Sequence, residues 1–291
     1  MKAIKEFYEK QYKLLLIIPF LLLIIGIGML YYNQSTTGSF INKGISLQGG
    51  TSITILDSEI TEQNIIDLLN YEGQIHTRSL SSTTGGKIGM VLEIEETDSE
   101  KVNLIRDKII NNYNLHDDNI AVETIGSSLG SSFFKETIKA MIIAFIFMGI
   151  VVFLYFRTIV PSLAVILAAV SDIIVTMAIV NVIGIKLSTA GIAAFLMLIG
   201  YSVDTDILLS TKVIKRKQGT VMDRIYSAMK TGMMMTLTTI TAITIALIFS
   251  QSVIISQIMI ILLIGLGVDL INTWIQNVGL LKLYMERKQK Q

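Results

Sequence analysis

The sequence contains no cysteine and only two prolines among its 291 residues. Without cysteine, the protein has no disulfide framework, no thiolate metal site and no cysteine nucleophile. Charged residues are also scarce, at 16%, whereas apolar residues make up 52%. This composition is too hydrophobic for an ordinary soluble domain and indicates that a lipid bilayer is the solvent.

Sequence motifs of common enzymes are missing as well. The chain has no Walker-type glycine loop, no zinc-binding pair of histidines on a helix and no nucleophile elbow. Its two histidines, His76 and His116, are 40 positions apart. We therefore expect a protein that is not an enzyme, needs no metal or other cofactor, and binds no nucleic acid.

Long apolar segments are abundant instead. A bilayer core about 30 Å thick needs roughly 17 to 25 apolar residues per helix, and six segments meet that length. We number them spans 1 to 6, at positions 14–31, 138–156, 159–183, 187–209, 232–249 and 253–280. Span 1 is longer than the apolar region of a signal peptide, so we interpret it as a retained anchor. The predicted architecture is a polytopic α-helical membrane protein.

Basic residues indicate how these spans are oriented. Fifteen of the 24 Lys and Arg precede span 1, follow span 6, or lie in the connections 2–3 and 4–5. The positive-inside rule then places both termini in the cytoplasm of a multi-pass cell-membrane protein. The predicted parts are a cytoplasmic N-terminus with span 1 (1–32), an extracytoplasmic domain (33–136), and spans 2 to 6 (137–291) with a cytoplasmic loop (210–231).

The segment between spans 1 and 2 alternates between strand and helix periodicity. Strands are predicted at 52–56, 74–80, 88–95 and 120–125, with a helix after the first and the third. Thr61 and Asp98 are predicted helix N-caps, and Gly85 with Gly86 a hairpin turn. The order βαββαβ predicts a ferredoxin-like α+β domain with one sheet face uncovered. Residues 126–132, rich in Gly and Ser, are predicted to form a flexible connector or a plain linker.

Four carboxylates fall inside the spans: Asp172 in span 3, Asp204 and Asp206 in span 4, and Asp269 in span 6. A charge at the bilayer centre costs about 2.5–3.5 kcal/mol on insertion scales, so each carboxylate is a candidate functional group. Asp172 is interpreted either as a member of an ion relay or as a hydrogen-bond anchor between helices. Asp269 begins a polar stripe that includes Asn272, Gln276 and Asn277 and predicts contact with a partner helix or water.

Asp204 and Asp206 point about 200° apart on a helix, so only one of them faces a given neighbour. We expect Asp204 to face Lys230 at a similar depth in span 5, forming the carboxylate and cation of a relay. Asp206 is expected to face the loop end of the span, near Lys212 and Lys215.

Three stretches resemble the SecF family of protein-export membrane proteins. Residues 44–51 (GISLQGGT) are similar to its glycine-rich signature, and residues 122–130 (VETIGSSLG) resemble its exit from the outer domain. The most specific match is 199–206 (IGYSVDTD), which is similar to the family's fourth-span motif. The signature residues in these stretches are Gly44, Gly49, Gly50, Thr51, Gly200, Tyr201 and Ser202.

This resemblance implies a subunit that pairs with SecD beside the Sec translocon, the SecY complex. It also implies membership of the resistance-nodulation-division superfamily, in which proton flow drives outer domains, here acting on an unfolded secretory polypeptide. Asp204 matches the relay aspartate of SecD, and Lys230 matches a basic relay residue of bacterial SecF. Bacterial SecF places its acid at the position of Thr205, and the Asp204, Asp206 pair resembles the archaeal branch.

The residues and the resemblance together predict an accessory subunit of protein export coupled to the proton motive force. One alternative is half of a small-molecule efflux transporter of the same superfamily, although such transporters have larger outer domains. Another is a purely structural assembly factor of the translocon, whose aspartates only join helices.

Overall fold

The computed structural model describes residues 11–71, 73, 75–81, 86–216, 218–250 and 252–289. The predicted turn glycine Gly85, the first position of the predicted strand 74–80 and the lysines before residue 11 lie outside these residues. In chain order the elements are α1 (Tyr12–Leu15), α2 (Ile17–Thr37), α3 (Ile45–Gln48), β1 (Gly50–Ile55), α4 (Glu62–Leu69), β2 (Ile75–Ser81), β3 (Lys87–Ile94), α5 (Ser99–Tyr113), β4 (Ile120–Ile125), α6 (Ser127–Phe156), α7 (Ile159–Val182), α8 (Thr189–Ile214), α9 (Val221–Phe249), α10 (Val253–Ile271) and α11 (Val278–Gln289).

The described residues contain six helical spans long enough to cross a membrane, as predicted. Span 1 is α1 with α2, and spans 2 to 5 are α6 to α9. Span 6 is α10 and α11, joined by a π-helical segment (Asn272–Asn277). Spans 3, 4 and 6 form the interior of the bundle, where their apolar side chains pack together, among them Val165, Phe195, Leu198 and Ile261. The other three spans are largely exposed and present apolar side chains outward, as lipid contact requires.

The inserted domain has the predicted ferredoxin-like topology. Its four strands form an antiparallel sheet in the order β2-β3-β1-β4. Helices α4 and α5 cover one face, where Ile53, Ile65 and Ile109 are fully buried. The predicted caps are confirmed, because Thr61 accepts a hydrogen bond from the Asn64 amide and Asp98 accepts one from the Glu100 amide.

The junction of the domain with span 2 is closely packed. Strand β1 begins where β4 ends, with Gly50 paired to Ile125. Gly49 has a φ of +91°, and a Cβ on it would lie 2.4 Å from the Ser127 Cα. A Cβ on Gly130 would lie 2.6 Å from the Gly49 nitrogen. The prediction of a connector at 126–132 is therefore wrong, since span 2 is already helical at Ser127 and packs against α3.

The second face of the sheet, predicted to be uncovered, faces the bundle across a cleft of about 300 Å³. Lys186, between spans 3 and 4, forms an ion pair with Glu93 of β3 at 3.3 Å. The connection after span 1 also docks there: the Gly44 amide donates to the Leu187 carbonyl at 2.8 Å. The Thr189 amide donates to the Ser46 hydroxyl at 3.1 Å. Polar contacts thus attach the domain to the connection between spans 3 and 4 and to the adjoining start of span 4.

Candidate functional site

Three of the four carboxylates in the spans meet in the centre of the bundle. Asp172 of span 3, Asp206 of span 4 and Asp269 of span 6 are each at most 1% exposed. Asp172 and Asp269 adjoin each other, and Asp269 also adjoins Asp206. We call these three residues the carboxylate cluster. The cost of burying even one such group makes this arrangement the strongest functional candidate in the chain.

The Asp172 carboxylate is held by two hydrogen bonds from two other spans. The Ser202 hydroxyl donates to Oδ2 at 2.6 Å, and Asn272 Nδ2 donates to Oδ1 at 2.7 Å. All three side chains are at most 1% exposed. Asp172 therefore connects spans 3, 4 and 6 through hydrogen bonds. This geometry is compatible with both interpretations of Asp172, as a member of an ion relay and as a hydrogen-bond anchor between helices.

Thr273 links the other two carboxylates of the cluster. Its Oγ1 lies 2.9 Å from Asp206 Oδ1 and 3.1 Å from Asp269 Oδ1. A hydroxyl has a single hydrogen and donates one hydrogen bond at a time. The second contact is favourable only when that carboxyl is itself protonated and donates to the threonine oxygen. The geometry thus suits a proton held within the cluster.

The π-helical segment of span 6 supplies several of these contacts. Within it, Asn272, Thr273, Gln276 and Asn277 are all at most 1% exposed, so an unusually wide polar face points inward. Single π-helical turns inside α-helices are often found at functional sites. The predicted polar stripe of span 6 is therefore buried, as expected for contact with partner helices.

Asp204 does not join the cluster. It is exposed on the surface of the bundle, as is Lys230, and no ion pair connects these two described residues. The expectations that Asp204 faces Lys230 and that Asp206 faces the loop end are wrong: Asp206 is buried in the cluster, and Asp204 is exposed. Lys212 and Lys215 do not contact Asp206 either: Lys212 donates to the Ser227 carbonyl, and Lys215 lies over the Tyr155 ring.

No basic side chain in the described part of the chain forms an ion pair with the cluster. Among the described residues, the ion pairs within 4.0 Å involve none of the three aspartates. Adjacent carboxylates without a cationic partner repel each other unless they share protons or bind a cation. The cluster is therefore suited to taking up and releasing positive charge.

The signature residues fall into two groups. Gly44, Gly49 and Gly50 form the junction between domain and bundle, and the fully buried Thr51 donates to the Glu96 carbonyl at 2.6 Å. Of the three signature residues in span 4, only Ser202 reaches the carboxylate cluster. Gly200 and Tyr201 are exposed on the same side of span 4 as Asp204.

Sequence reasoning did not single out Thr273, and it named Ser202 only as a signature residue, not as a partner of the carboxylates. Thr273 lies four residues after Asp269, so both occupy one helix face. Ser202, Asp206 and Ser210 are likewise spaced four apart along span 4. This second spacing was the available signal for the buried face of that span.

Comparisons with known proteins agree with this architecture. The family model described as "Protein export membrane protein SecD/SecF, C-terminal" matches residues 105–287, which include the whole carboxylate cluster. A protein-export membrane protein SecF from Pyrococcus furiosus is 38% identical, covering 99% of this chain and 96% of its own. Another, from Methanocaldococcus jannaschii, is 41% identical over 95% of this chain and 96% of its own.

A crystal structure of SecDF, a translocon-associated membrane protein from Thermus thermophilus, has a similar fold. The TM-score is 0.75 at 19% identity, covering 95% of this chain but 38% of the SecDF chain. The chain therefore spans about two fifths of that protein. By its family match and its relatives, the chain belongs to the SecD/SecF family of protein-export membrane proteins.

Proposed function

We propose that the chain is a non-enzymatic accessory subunit of the Sec translocase that moves protons through its carboxylate cluster to promote protein export. It acts with SecD beside the SecY complex, on unfolded polypeptide emerging from the cell membrane. Both termini lie in the cytoplasm and the inserted domain lies outside, in accord with the basic loops. Family membership and the similarity to SecDF support this assignment.

The observation that carries the proton-coupling part is the Thr273 bridge between Asp206 and Asp269. A helix-packing role needs hydrogen bonds, which neutral Asn or Gln side chains supply at lower burial cost. Three adjoining carboxylates with a single hydroxyl between two of them repel each other unless they take up positive charge, and a shared proton supplies it with the hydrogen bonds that the Thr273 geometry needs. Changes in their proton occupancy would alter the contacts between spans 4 and 6.

An export assay in cells or inside-out vesicles tests this proposal. We expect Asp206→Asn to abolish the stimulation of export by the proton motive force, leaving the level seen with an uncoupler. Asp118→Asn, on the exposed surface of the domain, is the matched control and should keep full stimulation. Retained stimulation in Asp206→Asn, with normal complex assembly, would favour the purely structural role.

The surface of span 4 around Asp204 is the proposed contact with SecD. Met197, Gly200, Tyr201 and Asp204 follow one another at helical spacing and are all exposed. A carboxylate is rare on a lipid-facing surface because it needs a polar partner there. Small residues such as Gly200 let a second helix approach closely. These four residues, the span 4 stripe, fit a neighbouring membrane protein better than lipid.

Substitution of Gly200 by leucine tests this contact without disturbing the fold. A Cβ at Gly200 meets no heavy atom of the described chain within 4 Å, so the larger side chain projects outward. We expect Gly200→Leu to lose co-purification with SecD. Gly28→Leu, at an equally open position in span 1, should retain it. Equal recovery of SecD with both variants would place the contact elsewhere.

A further inference from the structure

Among the described residues, the interior of the bundle next to the carboxylate cluster is more polar on one side than on the other. We call the side of the inserted domain the domain side, and that of the span 4–5 connection the loop side. Toward the loop side lie Asp206, Ser210, Gln276 and Asn277, each fully buried. Asp206 and Ser210 are one helical turn apart, and Asn277 adjoins Asp206.

These four side chains carry polar atoms that the protein leaves unbonded. Within the described residues, Asp206 Oδ2, Ser210 Oγ and both polar atoms of Gln276 and of Asn277 form no hydrogen bond of normal geometry, although Asn277 lies close enough to the Asp206 carboxylate to interact with it. Buried polar groups are normally paired with protein or with ordered water, because an unpaired one costs about 1–3 kcal/mol. Six such atoms in one region indicate a hydrated path. Ser210 is four residues, or about 6 Å, from the loop-side end of α8.

The domain side of the cluster is apolar by contrast. In span 4, the stretch between Ser188 and Ser202 covers about 21 Å of helix. Its inward side chains are hydrophobic and pack against hydrophobic side chains of spans 3 and 6, forming an apolar layer. The fully or nearly fully buried side chains of this layer are Val180, Ile192, Phe195, Leu198, Ile261, Leu262 and Leu266. Thr176 of span 3, one turn to the domain side of Asp172, is the last buried polar side chain before this layer, and its hydroxyl also has no partner among the described residues.

Leu198 is the best-fitted member of the layer. Gly265 of span 6 has no side chain, and a Cβ there would lie 2.4 Å from Leu198 Cδ2. Leu198 therefore fills a notch in the facing helix one turn to the domain side of Ser202. It is fully buried. A water path from the domain side would have to displace this side chain.

We propose that the carboxylate cluster exchanges with water only from the loop side, through Asp206, Ser210, Gln276 and Asn277, and that Leu198 seated against Gly265 closes the domain side. This inference rests on the proposed function, to which it adds the direction of access. The structure then corresponds to the state in which protons leave toward, or enter from, the loop side. Exchange with the other side requires a second state in which Leu198 leaves the Gly265 notch.

Thiol accessibility tests the path directly, because the chain has no cysteine of its own. The full chain with Ser210→Cys, in vesicles of known orientation, is treated from one side with the small probe 2-aminoethyl methanethiosulfonate, while a membrane-impermeant thiol on the opposite side removes any probe that crosses the bilayer. We expect modification at least severalfold faster from the loop side. Leu281→Cys is the control: it is equally buried near the same end, but in an apolar cluster, and should react slowly.

Two further variants complete the experiment. Asn277→Cys serves in place of Ser210→Cys if the latter does not fold, and the same sidedness is expected. Leu198→Ala combined with Ser210→Cys should gain reactivity from the domain side. Equal rates from both sides in the single variant, or no gain on shortening Leu198, would overturn the proposal. Thiol labelling does not depend on export activity. Its result therefore tests the access path separately from the export assay, which tests the proposed function.

Discussion

Two serines of the bundle interior differ in what their hydroxyl groups contact. Ser202 donates to the Asp172 carboxylate at 2.6 Å, whereas the equally buried Ser171 hydroxyl has no partner among the described residues. We expect Ser202→Ala to lower the free energy of unfolding by about 1–3 kcal/mol, because a buried carboxylate oxygen loses its donor. Reversible unfolding in detergent measures this difference.

Ser171→Ala provides the matched control. It removes a hydroxyl of the same size at the same depth without removing a hydrogen bond, so its stability should change by less than that of Ser202→Ala. If the two variants were destabilised equally, the loss would come from packing, and the contact with Asp172 would contribute nothing.

The residue types identified the carboxylates in the spans as candidate functional groups, but they did not predict which three of them lie together in the cluster. The four carboxylates and the span 6 stripe could be recognised from the cost of charge in a membrane. Which of Asp204 and Asp206 lies in the cluster depends on how span 4 is rotated, and the resemblance pointed to Asp204, which lies outside it. The rotation of span 4 about its axis is set by its packing against spans 3 and 6. In the sequence, this rotation is reflected only in the four-residue spacing of Ser202, Asp206 and Ser210, which lie on the buried face of span 4.

At the level of the helices, close packing reverses the usual effect of replacing glycine. Gly→Ala inside a helix normally stabilises by about 0.5–1 kcal/mol. At Gly130 the new Cβ would lie 2.6 Å from the Gly49 nitrogen and 3.0 Å from the Gln48 carbonyl carbon. We expect Gly130→Ala to destabilise the protein by about 1–3 kcal/mol, the range of an overpacked core. Thermal unfolding of the full chain measures it.

Gly28→Ala is the corresponding control in span 1. Its Cβ meets no heavy atom of the described chain within 4 Å, so the ordinary gain in helix stability should appear. Equal melting temperatures for the two variants would mean that span 2 is not packed against α3 as described.

Two elements could not be predicted from local sequence. The stretch 126–132 has the composition of a linker, yet it becomes helical because Gly130 lets span 2 approach Gln48 and Gly49 closely. The π-helical segment leaves no recognisable periodicity, since its extra residue per turn is visible only in the backbone. Spans and strands were predictable because their periodicity reflects burial directly.

For the molecule as a whole, His76 reports on the contact between domain and bundle. Burial, and then the positive charge of Lys186, hold the pKa of His76 below its ordinary value of 6.5, against the opposing effect of Glu93 and Glu95. Lys186 belongs to the bundle and His76 to β2. We expect Lys186→Met to raise the pKa of His76 toward 6.5, because a repelling charge is removed and Glu93 loses its partner.

Proton NMR of the imidazole groups measures this pKa, and only two histidines need assignment. The sign of the linked stability follows: a lowered histidine pKa stabilises the folded state above pH 6.5 and loses this contribution as the pH falls. Lys108→Met, on the exposed surface of α5, should leave the titration of His76 unchanged. An unchanged titration in Lys186→Met as well would contradict the docked position of the domain.

The pairing of Gly50 with Ile125 has a mechanical consequence. The chain enters the sheet through β1 and leaves it through β4, two neighbouring strands whose membrane-facing ends are paired. A pull that lifts the domain straight off the membrane loads both attachments in parallel and places no tension across their ladder. A sideways separation of spans 1 and 2 would instead open the ladder one residue pair at a time, beginning at Gly50. The β1–β4 ladder should therefore resist force along the membrane normal and separate more easily under force within the membrane plane.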